Sequence, residues 1–322
     1  MSSKRLKLLL IRGLGHSGTT MLDLALGAHP QIIGLGEAAR ILATPKPGDE
    51  HRGPSQLRGA HRFERRCTCG VVAAECPIWG PQLEWLRLHD QRPMQEKVLR
   101  LLKRSPHDGG AVWHVDSYQD DLEMTRLPET MFDIRIIHLV RDVRSWVHSR
   151  ARAGRKSGLR WPAMRQLARW WRVNAKFERS FRQSPYPVFH LGYEEFALQP
   201  QRSLELLSTW LSIDFQDSML APGQNSSSHI LAGNRVRFDL ERSRRIAYDG
   251  AWLGAPAPTA AHLGLLLPNV ARMNRRLVYS NGLLYRAAPV GRLRRLSRSS
   301  RWPSAAQHRD PDTVPRPLSP TG

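Results

Sequence analysis

Short runs of apolar residues alternate along the chain with segments whose apolar residues recur every three to four positions. The short runs predict strands, and the periodic segments predict helices. The predicted strands are Leu6–Ile11, Ala111–Val115, Asp133–Val140 and Pro187–Leu191. The predicted helices are Thr19–Ala28, a helix from Asp142 onward, Leu167–Phe181 and Pro200–Leu211. This alternation favours an α/β fold, in which helices flank a central parallel sheet.

Length and composition indicate one main domain followed by a tail. The chain has 322 residues, of which 41% are hydrophobic, and this is enough for a sizeable core. We place the domain at residues 1–288 and expect its Pro-, Gly- and His-rich stretch 45–66 to be an insertion or a mobile loop. Residues 289–322 are rich in Arg, Pro and Ser, so we expect a disordered basic tail.

The formal net charge of +21 points to a polyanionic partner. A nucleic-acid-binding protein would show basic patches interleaved with aromatic residues or a recognised motif, and the sequence shows neither; we expect no nucleic-acid partner. No apolar run approaches the roughly 20 residues of a membrane span, so we expect no transmembrane segment. The apolar run at residues 8–11 is too short for a signal peptide, and three cysteines suit a reducing compartment. We therefore expect a cytoplasmic protein.

A glycine-rich segment, Arg12-Gly-Leu-Gly-His-Ser-Gly-Thr-Thr20, joins the first predicted strand to the first predicted helix. Its glycines allow close approach to a ligand, and the helix start offers unpaired N–H groups to an anion. The spacing matches the P-loop G-x-x-x-x-G-K-[ST], except that Thr19 replaces the lysine. The segment can cradle a phosphate, whereas a P-loop kinase is disfavoured. The alternative is a glycine-rich loop without function.

A second candidate anion site follows the strand Asp133–Val140. Arg141, Ser145 and Ser149 recur every four residues and so share one face of the predicted helix. The strand delivers this face to the carboxyl edge of the sheet, where open α/β folds bind ligands. A guanidinium and a hydroxyl there can hold a phosphate. The alternative is a solvated basic helix.

These two segments together resemble sulfotransferases that use 3′-phosphoadenosine 5′-phosphosulfate (PAPS). The resemblance rests on Gly-His-Ser-Gly-Thr-Thr, His29-Pro30, Gly36-Glu37 and the eight-residue spacing between Arg141 and Ser149. It implies the P-loop-like sulfotransferase fold, with PAPS as co-substrate and a hydroxyl or amine as acceptor. The loop residues that would bind the 5′-phosphosulfate are Gly15, His16, Ser17, Gly18, Thr19 and Thr20. Arg141 and Ser149 would bind the 3′-phosphate.

Two later segments extend the resemblance. Gly192-Tyr-Glu-Glu-Phe is similar to a family segment whose tyrosine lies near the adenine, which implies that role for Tyr193. The run Gly233-Asn-Arg-Val-Arg is similar to a loop that closes over the nucleotide, where Arg235 and Arg237 would add positive charge. Taken alone, these segments are as readily a helix start and a turn.

The resemblance also implies the catalytic residues. Glu37 would be the general base, with Asp116 the next candidate; alternatively, Glu37 only caps the helix Ala38–Leu42. His16 stands where many members have Arg or Lys, and a protonated imidazole could donate to the leaving oxygen. Gln119 stands where many members have Lys. A catalytically impaired nucleotide-binding module of the same fold is therefore the main alternative to an active enzyme.

The three cysteines lie in Cys67-Thr-Cys-Gly and Cys76-Pro-Ile-Trp, a segment that resembles one common among bacterial members. Zinc would need a fourth ligand, for which His61 is available. We expect no metal, since in this chemistry the protein itself supplies the cations. The acceptor stays open among carbohydrate, lipid, small molecule and peptide.

Overall fold

Five parallel strands form the central sheet of the protein, in the order β2-β3-β1-β4-β5. The computed structural model describes residues 5–44, 62–105, 113–119, 121–156, 163–254 and 262–284. The strands are β1 (Leu6–Arg12), β2 (Ile32–Gly34), β3 (Trp113–Asp116), β4 (Phe132–Val140) and β5 (Val188–Gly192). The predicted parallel α/β architecture is confirmed.

Helices cover both faces of this sheet. Within the described residues they are α1 (Thr19–Leu26), α2 (Ala38–Leu42), α3 (Trp79–His89), α4 (Met94–Arg104), α5 (Val143–Lys156), α6 (Ala163–Arg182), α7 (Tyr193–Leu198), α8 (Pro200–Leu211), α9 (Pro222–Asn225), α10 (Leu240–Ser243) and α11 (Pro268–Val278). The same part of the chain contains short 3₁₀ segments at Met124–Arg126, Asp217–Leu220, Arg235–Phe238 and Gly264–Leu266.

The central strand β1 is apolar from Leu8 to Ile11, where it is buried on both faces. Leu8 and Leu10 pack into one cluster with residues of α2, α3 and α4. Leu9 and Ile11 point the opposite way, into a second cluster with residues of α1, α7 and α8. The two-residue alternation of a strand thus divides one apolar run between two cores, as expected for a parallel strand covered by helices.

The carboxyl ends of β1 and β4 lie side by side, with Arg12 in register with His138. The chain leaves β1 toward β2 on one side of the sheet, whereas β4 and β5 extend the other side. This reversal is a topological switch point, the usual ligand crevice of open α/β sheets. The loop after β1 lies so close to β4 that a Cβ atom at Gly13 would lie 2.2 Å from the Leu139 carbonyl oxygen.

Two segments of the predicted domain organisation lie outside the described residues. They are residues 45–61 of the expected insertion and the whole basic tail. The end of the expected insertion is well packed: the Arg62 side chain is buried, donates to the Ile41 carbonyl (3.0 Å) and forms an ion pair with Asp90. None of the helices in the described ranges is both long and apolar enough to cross a bilayer.

Candidate functional site: a phosphate-binding cleft at the switch point

The loop between β1 and α1 adopts a strained, tightly held conformation. His16 and Gly18 both have left-handed backbones, with φ of 74° and 93°. A side chain at Gly18 would collide with Tyr193, whose Cδ2 lies 2.8 Å from the position of a Cβ atom. The indole N–H of Trp146 donates to the Gly15 carbonyl (2.8 Å). The loop is therefore held in place from the side of α5. It opens α1 without a side-chain cap, so the N–H groups at the start of α1 have no side-chain cap partner.

A cleft of about 600 Å³ opens between this loop, the end of β4 and the segment around residue 233. Nine of the residues singled out from the sequence line it: Gly15, His16, Gly18, Thr19, Thr20, Glu37, Arg141, Ser149 and Tyr193. They come from four separate segments of the chain. The sheet topology brings them together at one edge, as the two candidate phosphate sites require.

Arg141 occupies the centre of the cleft wall. Its side chain is buried, and its Nε donates to the Ser145 hydroxyl (2.6 Å). The guanidinium also donates to the His16 carbonyl (3.2 Å) and lies over the Tyr193 ring, 4.5 Å from its centroid. The remaining nitrogen pairs with the Asp249 carboxylate (3.1 Å). Arg141 thus links the two phosphate segments through direct contacts, which a solvated basic helix would not do.

His16 differs from the protonated donor expected from the sequence. Burial, together with the positive charges of Arg150 and Arg141, lowers the pKa of His16 to about 4. The imidazole is therefore neutral at neutral pH. Its Nδ1 lies 3.5 Å from the Ser149 hydroxyl, so Ser149 and His16 face the same part of the cleft. A neutral ring still offers one N–H to a ligand.

Glu37 is a buried residue of the cleft wall at the start of α2. It occupies the N-cap position, but its side chain makes no capping hydrogen bond. The carboxylate instead accepts from Arg40 (2.7 Å), one turn into the helix. The structure therefore does not support the alternative that Glu37 only caps α2. The carboxylate is available at the cleft, next to a cation.

Two buried carboxylates support the backbone beneath Glu37. Asp23 accepts from the Ser117 hydroxyl (2.6 Å) and from the Gly36 backbone N–H (3.1 Å). Burial raises the pKa of Asp23 to about 7. Asp116, the second candidate base, is fully buried: it pairs with Arg12 (2.8 Å) and does not line the cleft. Asp116 therefore stabilises the sheet edge and is no substitute for Glu37.

Three of the predicted binding residues do not line the cleft. Ser17 is buried, and its backbone N–H donates to the Leu14 carbonyl (3.2 Å). Arg235 is exposed on the 3₁₀ segment. Arg237 turns back onto its own loop and donates to the Gly233 carbonyl (2.6 Å). The resemblance located this loop correctly beside the cleft, but its lining comes from Gly233, Asn234 and Val236 and not from the two arginines.

Several cleft residues were not singled out as binding residues from the sequence. The cations Arg150, Arg152, Arg169 and Arg242 and the acid Asp249 all line the cleft. In the sequence, only the large net positive charge pointed to these cations, and a net charge does not show which residues lie at a site. Asp249 had no signal, because a single acid after a tyrosine in a loop follows no pattern.

A group of side chains that could bind a metal ion lies outside this cleft. It comprises Cys67, Cys69, Cys76 and His229, whose donor atoms all lie within 4.8 Å of one another. The histidine that joins the cysteines is thus His229. The fourth ligand considered from the sequence, His61, lies outside the described residues.

Comparisons with known proteins agree with this geometry. The model of a family described as "Sulfotransferase family" matches residues 9–217, more than half of the chain. Comparison with curated proteins gives no match.

Two solved structures are similar over most of their length. The sulfotransferase domain from the Synechococcus PCC 7002 olefin synthase is 18% identical, with 87% of this chain and 97% of that chain covered and a TM-score of 0.50. The sulfotransferase domain from the curacin biosynthetic pathway is 17% identical, with coverages of 85% and 98% and a TM-score of 0.49. At 18% identity, the first likeness shows a shared fold.

Proposed function

The chain belongs to the sulfotransferase family, and on that premise we propose that it transfers the sulfuryl group of PAPS to a hydroxyl or amine of an acceptor. One observation carries the proposal: Arg141, with Ser145 bound to its Nε, lies against the glycine-rich loop inside a single cleft. A nucleotide with phosphates at both its 5′ and 3′ ends needs two anion sites at a fixed separation. The cleft offers such a pair.

The donor would lie with its 5′-phosphosulfate on the loop and its 3′-phosphate at the start of α5. The N–H groups at the start of α1, together with Thr19 and Thr20, suit the 5′ end. Arg141 and Ser149 suit the 3′-phosphate, since a guanidinium can donate two parallel bonds to it. The Tyr193 ring borders the space between these sites and suits the adenosine.

Glu37 would act as general base in the transfer. The acceptor O–H or N–H loses its proton to the Glu37 carboxylate while its oxygen or nitrogen forms a bond to sulfur. At the same time, the bond between sulfur and the bridging oxygen breaks. The leaving group is adenosine 3′,5′-bisphosphate, which keeps the electron pair of the broken bond. Arg40, at 2.7 Å, orients the Glu37 carboxylate before the acceptor arrives.

Negative charge that develops on the bridging oxygen would be stabilised by donors of the loop. His16 can offer a ring N–H, and the backbone N–H groups at the start of α1 would add further donors. The surrounding arginines lower the electrostatic cost of bringing an anionic donor into the cleft. The acceptor would be an alcohol, phenol or amine that reaches Glu37 from the open side.

A nucleotide-binding module without catalysis is the second candidate. It is favoured by Gln119, which lines the cleft where many family members carry a lysine. A neutral amide cannot supply the charge of that lysine to the leaving oxygen.

Turnover with labelled PAPS separates the two candidates. We expect transfer of labelled sulfuryl to at least one acceptor from a panel of phenols, alcohols, amino sugars and lipids, and loss of that transfer in Glu37→Gln. Tight nucleotide binding without any product across the panel would favour the binding module. Absence of nucleotide binding would contradict both candidates.

A further inference from the structure

The three cysteines and His229 converge on one point from distant parts of the chain. Cys67 and Cys69 flank a tight turn in which the Gly70 N–H donates to the Cys67 carbonyl (3.0 Å). Cys76 lies just before α3, and its sulfur accepts from the Trp79 backbone N–H (3.5 Å). His229 arrives from the segment that leads to the cleft, more than 150 residues later. Hydrogen bonds to ligand atoms, such as the one that Cys76 accepts, orient the side chains of metal sites.

The distances between the donor atoms match those around a tetrahedral zinc ion. Cys76 Sγ lies 3.6 Å from Cys67 Sγ and 3.8 Å from Cys69 Sγ. His229 Nδ1 lies 3.2 Å from Cys76 Sγ and 3.9 Å from Cys67 Sγ. Zinc bonds of about 2.3 Å to sulfur and 2.0–2.1 Å to nitrogen require edges of about 3.8 Å and 3.6 Å. These four distances are therefore close to the edges of a tetrahedral zinc site, and all four donor atoms lie within 4.8 Å of one another.

Packing alone gives no reason for this arrangement. The three thiols are free, and a disulfide would join only two of them and leave the third without a partner sulfur. Cys67 and Cys76 are buried in the core cluster that includes Ala73 and Trp79. Thiol groups are weak hydrogen-bond donors, so three of them around one imidazole nitrogen gain little from each other. A cation shared by all four satisfies every donor at once.

We propose that Cys67, Cys69, Cys76 and His229 bind one structural Zn²⁺ ion. Three thiolates and one imidazole form a closed set of four protein ligands, which leaves no open position for a reactant. Soft thiolate ligands in tetrahedral geometry select zinc over magnesium, calcium or manganese. The ion would link the segment that contains the three cysteines to the segment that precedes Gly233 and Asn234 at the cleft.

This cross-link lies directly behind the cleft. The Thr68 hydroxyl donates to the Ser228 carbonyl and accepts from the Ile230 N–H (2.9 Å), and the Trp79 indole donates to the His229 carbonyl (2.6 Å). Three residues beyond His229, the Ala232 carbonyl accepts from the Glu37 N–H (2.9 Å). Zinc would thus hold the strip of backbone that carries Gly233 and Asn234 and that fixes the position of Glu37.

Metal analysis of the full chain, purified without chelator, tests the proposal. We expect about one zinc ion per chain by elemental mass spectrometry and three free thiols after denaturation. Removal of zinc by a chelator should lower the thermal midpoint, and added Zn²⁺, but not Mg²⁺, should restore it. A chain with three thiols and no zinc would be a plain thiol cluster, and a chain with one thiol would contain a disulfide. Either result, or stoichiometric iron, would overturn the proposal.

Variants identify the ligands. Cys76→Ser and His229→Ala should each weaken zinc binding by about tenfold or more. His229→Cys supplies a fourth sulfur and should retain about one zinc ion per chain, which separates ligand loss from misfolding. His89→Ala is the matched control, because His89 lies at the far end of α3 and is not a ligand. Full zinc content in both Cys76→Ser and His229→Ala would place the ion elsewhere and refute the assignment.

Discussion

Arg141 and Asp249 form an ion pair inside the cleft, with the guanidinium Nη2 3.1 Å from the carboxylate Oδ2. Arg141 is 6% exposed, whereas Asp249 is 47% exposed. Burial opposes ionisation of Asp249, but the hydrogen bond and the charge of Arg141, with smaller contributions from the Ala251 N–H and Arg152, together outweigh it. The pKa of Asp249 is therefore lowered and the carboxylate is charged. An anionic ligand that approaches Arg141 must therefore compete with the Asp249 carboxylate.

Asp249→Asn should consequently strengthen the binding of adenosine 3′,5′-bisphosphate. A half-exposed ion pair is worth about 1 kcal/mol or less, so we expect a gain of up to about fivefold in affinity. Calorimetric titration measures it. Asp217→Asn, which removes the same charge from an exposed acid outside the cleft, is the control and should leave the affinity unchanged. A weaker Asp249→Asn complex would mean that Asp249 orients Arg141 for the ligand.

Glu37→Gln should abolish turnover while nucleotide affinity stays within about twofold of the wild-type value, because the amide keeps the shape of the side chain but accepts no proton. The measurement is kcat with labelled PAPS beside a binding titration. Glu84→Gln is a matched control, since Glu84 and Arg87 form the same i,i+3 pair on an exposed surface. An active Glu37→Gln enzyme would show that another group takes the proton.

His16→Ala should lower kcat by about 10²–10³-fold, the usual effect of removing a donor to developing negative charge. His16→Arg should retain or raise kcat, because a guanidinium restores both donor and charge where the wild-type imidazole is neutral. The pKa of His16, lowered to about 4 by burial and the nearby arginines, is the basis of that expectation. Equal rates for the wild type and His16→Ala would remove His16 from the mechanism.

Asp23 should make the protein less stable as the pH rises from about 4 to 7. Burial raises the folded-state pKa of Asp23 to about 7 from an ordinary value of 3.8, so the folded state holds this proton more tightly. The stabilisation is complete below pH 3.8 and is lost as the pH rises through 7, by up to about 4 kcal/mol.

Asp23→Asn should remove this loss of stability between about pH 4 and 7 when the free energy of unfolding is measured against pH. The variant fits the site: one oxygen already accepts both hydrogen bonds, and the buried Oδ1 has no hydrogen-bond partner. Asp217→Asn should keep the wild-type slope. An unchanged slope in Asp23→Asn would mean that Asp23 is ionised in the folded protein.

The strands and the cleft could be predicted because their signals are local. Leu6–Ile11 and Asp133–Val140 are apolar runs that end at residues of the two phosphate segments, and parallel strands necessarily bring those ends to one edge. The helices α3, α4 and α11 were not predicted. In α4 the buried Val98, Leu101 and Leu102 do recur at helical spacing, but charged residues interrupt them.

The rest of the site depends on tertiary contacts that no local pattern encodes. The pKa of His16 depends on burial and on Arg150, so the residue type alone suggested the wrong protonation state. Arg237 has the right position in a motif, yet its guanidinium finds carbonyl acceptors within its own loop. His229 lies more than 150 residues from the cysteines in the sequence, so the nearby His61 was the fourth ligand considered from the sequence.

The preference of the protein for adenosine 3′,5′-bisphosphate over ADP decides whether Arg141 binds a 3′-phosphate. The two nucleotides share the adenosine and both carry two phosphates, but only the first has a phosphate for Arg141 to hold. Charge-assisted hydrogen bonds of about 1.5–3 kcal/mol predict a preference of about 10–150-fold by calorimetry. Arg141→Ala should abolish that preference, and Arg172→Ala, at an exposed arginine of α6, should preserve it. Equal affinities of the wild-type protein for the two nucleotides would contradict the account.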